Sequence, residues 1–166
     1  NTYTDLTIED NITRSNGAGG IAMLRAATNS IIRRNKCYWN GKFQSENIAT
    51  EFHPQHRWTY GIKLWEDTGV QEGHQIYDNE CFENGRGRPG DYQGRGSGIW
   101  LDALPGDPNN PTVIRHNLIY SNKGNGIFIE ISGNTVTYGN VLIGNATNSG
   151  GINEFAAANI VIDARE

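Results

Sequence analysis

The sequence predicts an all-β solenoid of about five coils, and three observations predict it. Asn, four intervening residues and Asn recur five times in 166 residues, at Asn11/Asn16, Asn35/Asn40, Asn79/Asn84, Asn117/Asn122 and Asn140/Asn145. A phrase beginning Gly-Ile follows each pair, at Gly20-Ile21, Gly61-Ile62, Gly98-Ile99, Gly126-Ile127 and Gly151-Ile152. The shortest spacings between first asparagines are 24 residues (11 to 35) and 23 residues (117 to 140). A fixed period of this length with short strands signals stacked coils, each burying its apolar face against the next.

Within a coil, an apolar residue stands three before the first Asn and a small or apolar one two after it, as in Ile114-Arg115-His116-Asn117-Leu118-Ile119. Short strands are therefore broken at a regular corner. In four of the five Gly-Ile phrases apolar residues alternate with variable ones, the period of a half-buried strand. The fifth, with Glu154 at an apolar position, predicts a distorted strand. The gap from the second Asn to Gly-Ile is four residues after Asn16 and Asn122 and six after Asn145, but 21 after Asn40 and 14 after Asn84. Residues 41–60 and 85–97 are thus inserted loops. Asn159-Ile160-Val161-Ile162-Asp163 reads as the opening strand of another coil, so the single domain over 1–166 is expected to be part of a longer chain.

These asparagine and Gly-Ile phrases resemble the right-handed parallel β-helix repeats of the pectate-lyase-like superfamily, over nearly the whole chain. The resemblance implies coils stacked like upon like, with asparagines lining a corner as a hydrogen-bonded ladder. Asn suits such a corner, because it tolerates the left-handed conformation and its amide both donates and accepts across coils. The family includes lyases, hydrolases, epimerases, tailspikes and adhesins, so the resemblance gives the fold and leaves the activity to the site.

Composition agrees. The chain has 21 Gly, 36% hydrophobic residues and a net charge of -4 with pI near 5.6. An acidic chain offers nucleic acid no electrostatic footprint. No run of about 18 apolar residues spans a membrane. Uncapped solenoid ends leave strand edges open to end-to-end or self-association. Cys37 and Cys81 each stand two residues after a first Asn, so they are expected to point inward on adjacent coils as stacked buried thiols, at a spacing a disulfide can also bridge.

Function is expected from the outward positions of the Gly-Ile strands. The third position reads Ala22, Lys63, Trp100, Phe128, Asn153, and the fifth reads Leu24, Trp65, Asp102, Glu130, Phe155. Trp65, Trp100 and Phe128 offer flat apolar surface for sugar rings, and Lys63 offers a donor for hydroxyls or charged groups. Asp102 and Glu130 fall on neighbouring coils, where two carboxylates repel unless a shared proton, a cation or a basic side chain intervenes. A shared proton gives the acid/base pair of glycoside hydrolysis. A bound Ca²⁺ is what the resemblance to the superfamily's lyases implies, and Glu66, just past the strand end, is the further carboxylate available to it. No cofactor is required by the first reading. The first loop adds His53, His56, Trp58 and Tyr60, and the second adds Arg95, as a rim over the same face. The sequence therefore predicts a secreted or cell-surface polysaccharide-binding protein that cleaves glycosidic bonds through Asp102 and Glu130. A calcium-assisted polysaccharide lyase and a non-catalytic adhesin or tailspike-like glycan-binding module are the alternatives.

Overall fold

A computed structural model describes residues 3–25, 27–41, 59–66, 71–85, 96–146 and 158–164. Most of both inserted loops, including His53, His56, Trp58 and Arg95, lies outside the described residues.

The strands follow the repeat. The first coil holds β1 (Tyr3–Thr4), β2 (Thr7–Glu9), β3 (Ile12–Arg14) and β4 (Gly19–Leu24). The second holds β5 (Ala27–Thr28), β6 (Ile31–Arg33), β7 (Lys36–Tyr38) and β8 (Tyr60–Trp65), and the third β9 (Gln71–Glu72), β10 (Gln75–Tyr77), β11 (Glu80–Phe82) and β12 (Ser97–Asp102). The fourth holds β13 (Thr112–Arg115), β14 (Leu118–Tyr120) and β15 (Ile127–Glu130), and the fifth β16 (Thr135–Tyr138), β17 (Val141–Ile143) and β18 (Ile160–Asp163). Stacking these coils makes three five-stranded sheets: sheet I (β2-β6-β10-β13-β16), sheet II (β3-β7-β11-β14-β17) and sheet III (β4-β8-β12-β15-β18). A short sheet, β1-β5-β9, which the sequence pattern did not indicate, lies between sheets III and I along the chain. Every strand pair in these sheets is parallel.

The register places like above like. Ile8, Ile32, Ile76, Ile114 and Thr137 form one inward row of sheet I. Thr13, Cys37, Cys81, Ile119 and Leu142 form that of sheet II, which puts the two cysteines side by side as buried free thiols. The hydrogen bond to Cys37, together with burial, holds the Cys81 thiol well above the usual range, as in a structural rather than a reactive cysteine. Sheet III supplies two inward rows, beginning Ile21-Ile62-Ile99-Ile127 and Met23-Leu64-Leu101-Ile129. All eight are buried.

Both asparagine columns are hydrogen-bonded ladders. Asn11, Asn35, Asn79, Asn117 and Asn140 are linked Nδ2 to Oδ1 at 2.9–3.1 Å. Asn16, Asn40, Asn84, Asn122 and Asn145 are linked likewise at 2.9–3.0 Å. Each Oδ1 also accepts the backbone N–H of the preceding rung, as Asn79 does from Asn35 at 3.0 Å. Each interior Nδ2 also donates to a carbonyl of the preceding coil, as Asn84 does to Cys37 at 3.0 Å. The left-handed turn is not made by the asparagines themselves. It falls on the residue before each rung: Asp10, Arg34, Asp78, His116 and Gly139 in one column, Ser15, Trp39, Glu83, Ser121 and Gly144 in the other. The Asn amide satisfies the backbone groups that the turn leaves over, and the residue ahead of it takes the positive φ.

The fifth coil corrects one expectation. Its sheet III strand is β18, whose Ile160 pairs with Ile127 and Asp163 with Glu130. The stretch read as opening a further coil therefore completes the fifth, and the Gly151-Ile152 phrase lies outside the described residues.

Candidate functional site

The outer face of sheet III carries two rows in register, Ala22-Lys63-Trp100-Phe128-Val161 and Leu24-Trp65-Asp102-Glu130-Asp163. Strand alternation sends these side chains away from the core. The central members are nonetheless shielded: Trp100 is 0% exposed, Phe128 1%, Glu130 6% and Lys63 9%. The sequence reading of this face as open aromatic surface is corrected accordingly.

The central side chains form a connected cluster. Lys63 Nζ lies 2.7 Å from Asp102 Oδ2 and 3.4 Å from the centroid of the Trp100 ring. Its ammonium neutralises the carboxylate and rests on the negative face of the indole. The indole N–H of Trp100 donates to Glu130 Oε2 at 3.1 Å. On its other side the ring stacks with Phe128 at 5.6 Å and 24°. Tyr60, expected in the loop, is the first residue of β8, and its ring meets Trp100 edge-on at 6.5 Å. Burial pushes the Tyr60 phenol up.

Two consequences follow for the predicted residues. The repulsion between Asp102 and Glu130, which are register partners on β12 and β15, is relieved by a basic side chain, the third of the three solutions open to the sequence. Trp100 has one ring face under Lys63 and the other against Phe128, so it presents no free face to a sugar. Trp65 is half-buried beside Asp102, and Glu66 is buried at the end of the strand.

At Asp102 a calcium ion would compete with Lys63. The ion needs about six to eight oxygen ligands, whereas Lys63 places its own positive charge on Asp102. Among the described residues no group of three or more His, Cys, Asp or Glu side chains converges as a metal site.

The sequence reading passed over two features. Asp163 extends the Asp102-Glu130 row by one coil, and its signal was present, because Asn159-Ile160-Val161-Ile162-Asp163 repeats the alternation of Gly126-Ile127-Phe128-Ile129-Glu130. On sheet II, Tyr38, Phe82 and Tyr120 stack at 4.8 Å and 3–4°. Each stands three residues after a first Asn, where the column could have been read. Glu80 joins this ladder through Lys36 at 2.9 Å and the Tyr120 hydroxyl at 2.8 Å. Both faces of Phe82 are taken by its neighbours, so this column reinforces the stack instead of offering sugar platforms.

Stacked parallel coils and paired ladders now stand together with a family match: the model for the right-handed beta helix region covers residues 1–164. The chain belongs to this family. No curated protein and no solved structure matches it. The coil is right-handed, as in that family. Family membership covers fold alone, so the cluster around Trp100 has to be argued from its own chemistry.

Proposed function

We propose that this β-helix binds a polysaccharide across the outer face of sheet III and cleaves its glycosidic bonds with Asp102 and Glu130. The observation that carries the reading is the unequal treatment of two register-paired carboxylates. Lys63 holds Asp102 in an ion pair, which suits the ionised partner, nucleophile or base. Glu130 is 6% exposed and accepts the Trp100 indole N–H, which makes it the more shielded of the two and the one we assign as the acid. Two carboxyl groups in different environments are what glycoside hydrolysis requires, and a separation of about 5 Å, as expected for facing residues on parallel strands, favours retention of configuration. A polysaccharide substrate sets the protein's place of action outside the cell or at its surface.

The test is incubation with a panel of neutral and uronate glycans. Hydrolysis releases reducing ends alone; lyase action releases reducing ends with an unsaturated, ultraviolet-absorbing product. Asp102→Asn and Glu130→Gln are expected to lower turnover by about 10²–10⁴-fold; Asp102→Asn also lowers the melting temperature, because it leaves the buried Lys63 ammonium without its carboxylate, so turnover is compared at a temperature where both variants are folded. Full activity in both variants removes these residues from the chemistry.

A second reading is non-catalytic glycan binding, with half-buried Trp65 beside Asp102 as the aromatic contact. It predicts retention on an immobilised glycan with no product of either kind. The lyase reading has less support, since a lysine that is ion-paired to a carboxylate is protonated and cannot take a proton.

A further inference from the structure

Polar side chains enter the core on the far side of the short sheet, where each coil turns into sheet I. Ser30 and His74 are 0% exposed and Thr112 is 2% exposed. Gln75 pairs with Ile31 and with Val113, so the residues immediately before them, His74, Ser30 and Thr112, stack on successive coils about 4.8 Å apart. The Ser30 amide approaches His74 Nδ1 at 3.4 Å, and the ring also lies against the Ala27 carbonyl. His74 Nε2 has no protein partner, and the same holds for Thr112 Oγ1 and for Gln71 Oε1. The amide nitrogen of Gln71 is anchored on the Arg25 and Trp65 carbonyls at 2.9 Å each, at the other end of the short sheet, where the coil leaves sheet III.

The tautomer of His74 does not remove the difficulty. With the proton on Nε2 a buried N–H lacks an acceptor, and with the proton on Nδ1 a buried lone pair lacks a donor. Each such group costs about 1–3 kcal/mol when left unpaired. Buried water resolves this in protein interiors by making about three hydrogen bonds to such groups. Water also fits both tautomers, because it donates as readily as it accepts. Ile32, Ile76 and Ile114, two residues further along the same strands, close the region with apolar surface.

We propose that a buried water molecule occupies this polar seam, bridging His74 Nε2 to Thr112 Oγ1. The seam is a binding site internal to the fold and does not depend on the glycan-cleaving role of sheet III. Its occupant joins two coils that lack a side chain-to-side chain bond at this level, much as the asparagine ladders join them elsewhere.

Water-selective nuclear Overhauser spectroscopy on the full chain tests this. Cross-peaks from a long-lived water to the His74 ring and the Thr112 methyl are expected in the folded protein. Thr112→Ser keeps the hydroxyl and is expected to retain the His74 cross-peak, while Thr112→Val is expected to lose it. Absence of a water cross-peak at both residues in the parent protein overturns the proposal, as does an Nε2 bonded directly to the Thr112 hydroxyl. The parent spectrum decides the matter even if Thr112→Val fails to fold.

Discussion

His74 sits in the core with its basicity depressed, from the usual 6.5 to about 4, mainly because burial penalises the imidazolium. The unfolded chain therefore binds a proton at a higher pH than the native protein does. Stability from this residue is complete above about pH 6.5 and is lost as pH falls from there towards 4. The expected loss is about 2 kcal/mol, read as the difference in denaturant-unfolding free energy between pH 7 and pH 4.5; a His74→Gln variant with an unchanged pH slope would contradict it. Asn84 shows the complementary case of a buried group that is fully used. It is 0% exposed, accepts from the Asn40 side chain and backbone, and donates to Asn122 and the Cys37 carbonyl. Asn84→Ala strands each of these partners at about 1–3 kcal/mol apiece, so a large fall in melting temperature is expected, with Asn84→Asp as the near-isosteric comparison.

At the level of the strand, the Gly-Ile phrase has a steric cause. A Cβ on Gly98 would stand 2.8 Å from the Gly126 carbonyl and 2.3 Å from Ile119 Cγ2. The same carbonyl of the next coil blocks Gly20, Gly61 and Gly126 at 2.5–2.6 Å. Gly98→Ala is expected to destabilise by about 1–3 kcal/mol through overpacking, measured by chemical denaturation, whereas Gly17→Ala, with nothing within 4 Å, is expected to be nearly neutral. This also explains what was legible in the sequence. Inward rows repeat, because each coil must place the same volume under its neighbour, so Ile62, Ile99, Cys37 and Cys81 could be assigned by counting. Asp163 lay outside the pattern because its strand is preceded by Asn159 where the others carry Gly. The shielding of Trp100 was illegible, since strand alternation tells which way a side chain points and not what lies over it.

Across the whole molecule, packing is uneven along the axis. Leu101, in the third coil, is 0% exposed, while Ile162, two coils further in the same inward row, is 68% exposed. Leu101→Ala is expected to cost about 2–5 kcal/mol and Ile162→Ala under about 1 kcal/mol, and hydrogen exchange should protect β12 far more than β18. Quasi-one-dimensional folds behave in this way, each coil drawing its stability from its immediate neighbours. The ladders add a direction to that picture. Every rung turns its carbonyl oxygen towards the preceding coil and its amino group towards the next, so the side-chain dipoles of each column point the same way. Such a column can be lengthened or shortened by a whole coil without altering the chemistry of any junction. It cannot accept a coil laid in the reverse sense, where oxygen would meet oxygen. Repeat number is thus a variable that evolution can change in single steps, and strand polarity is one that it cannot.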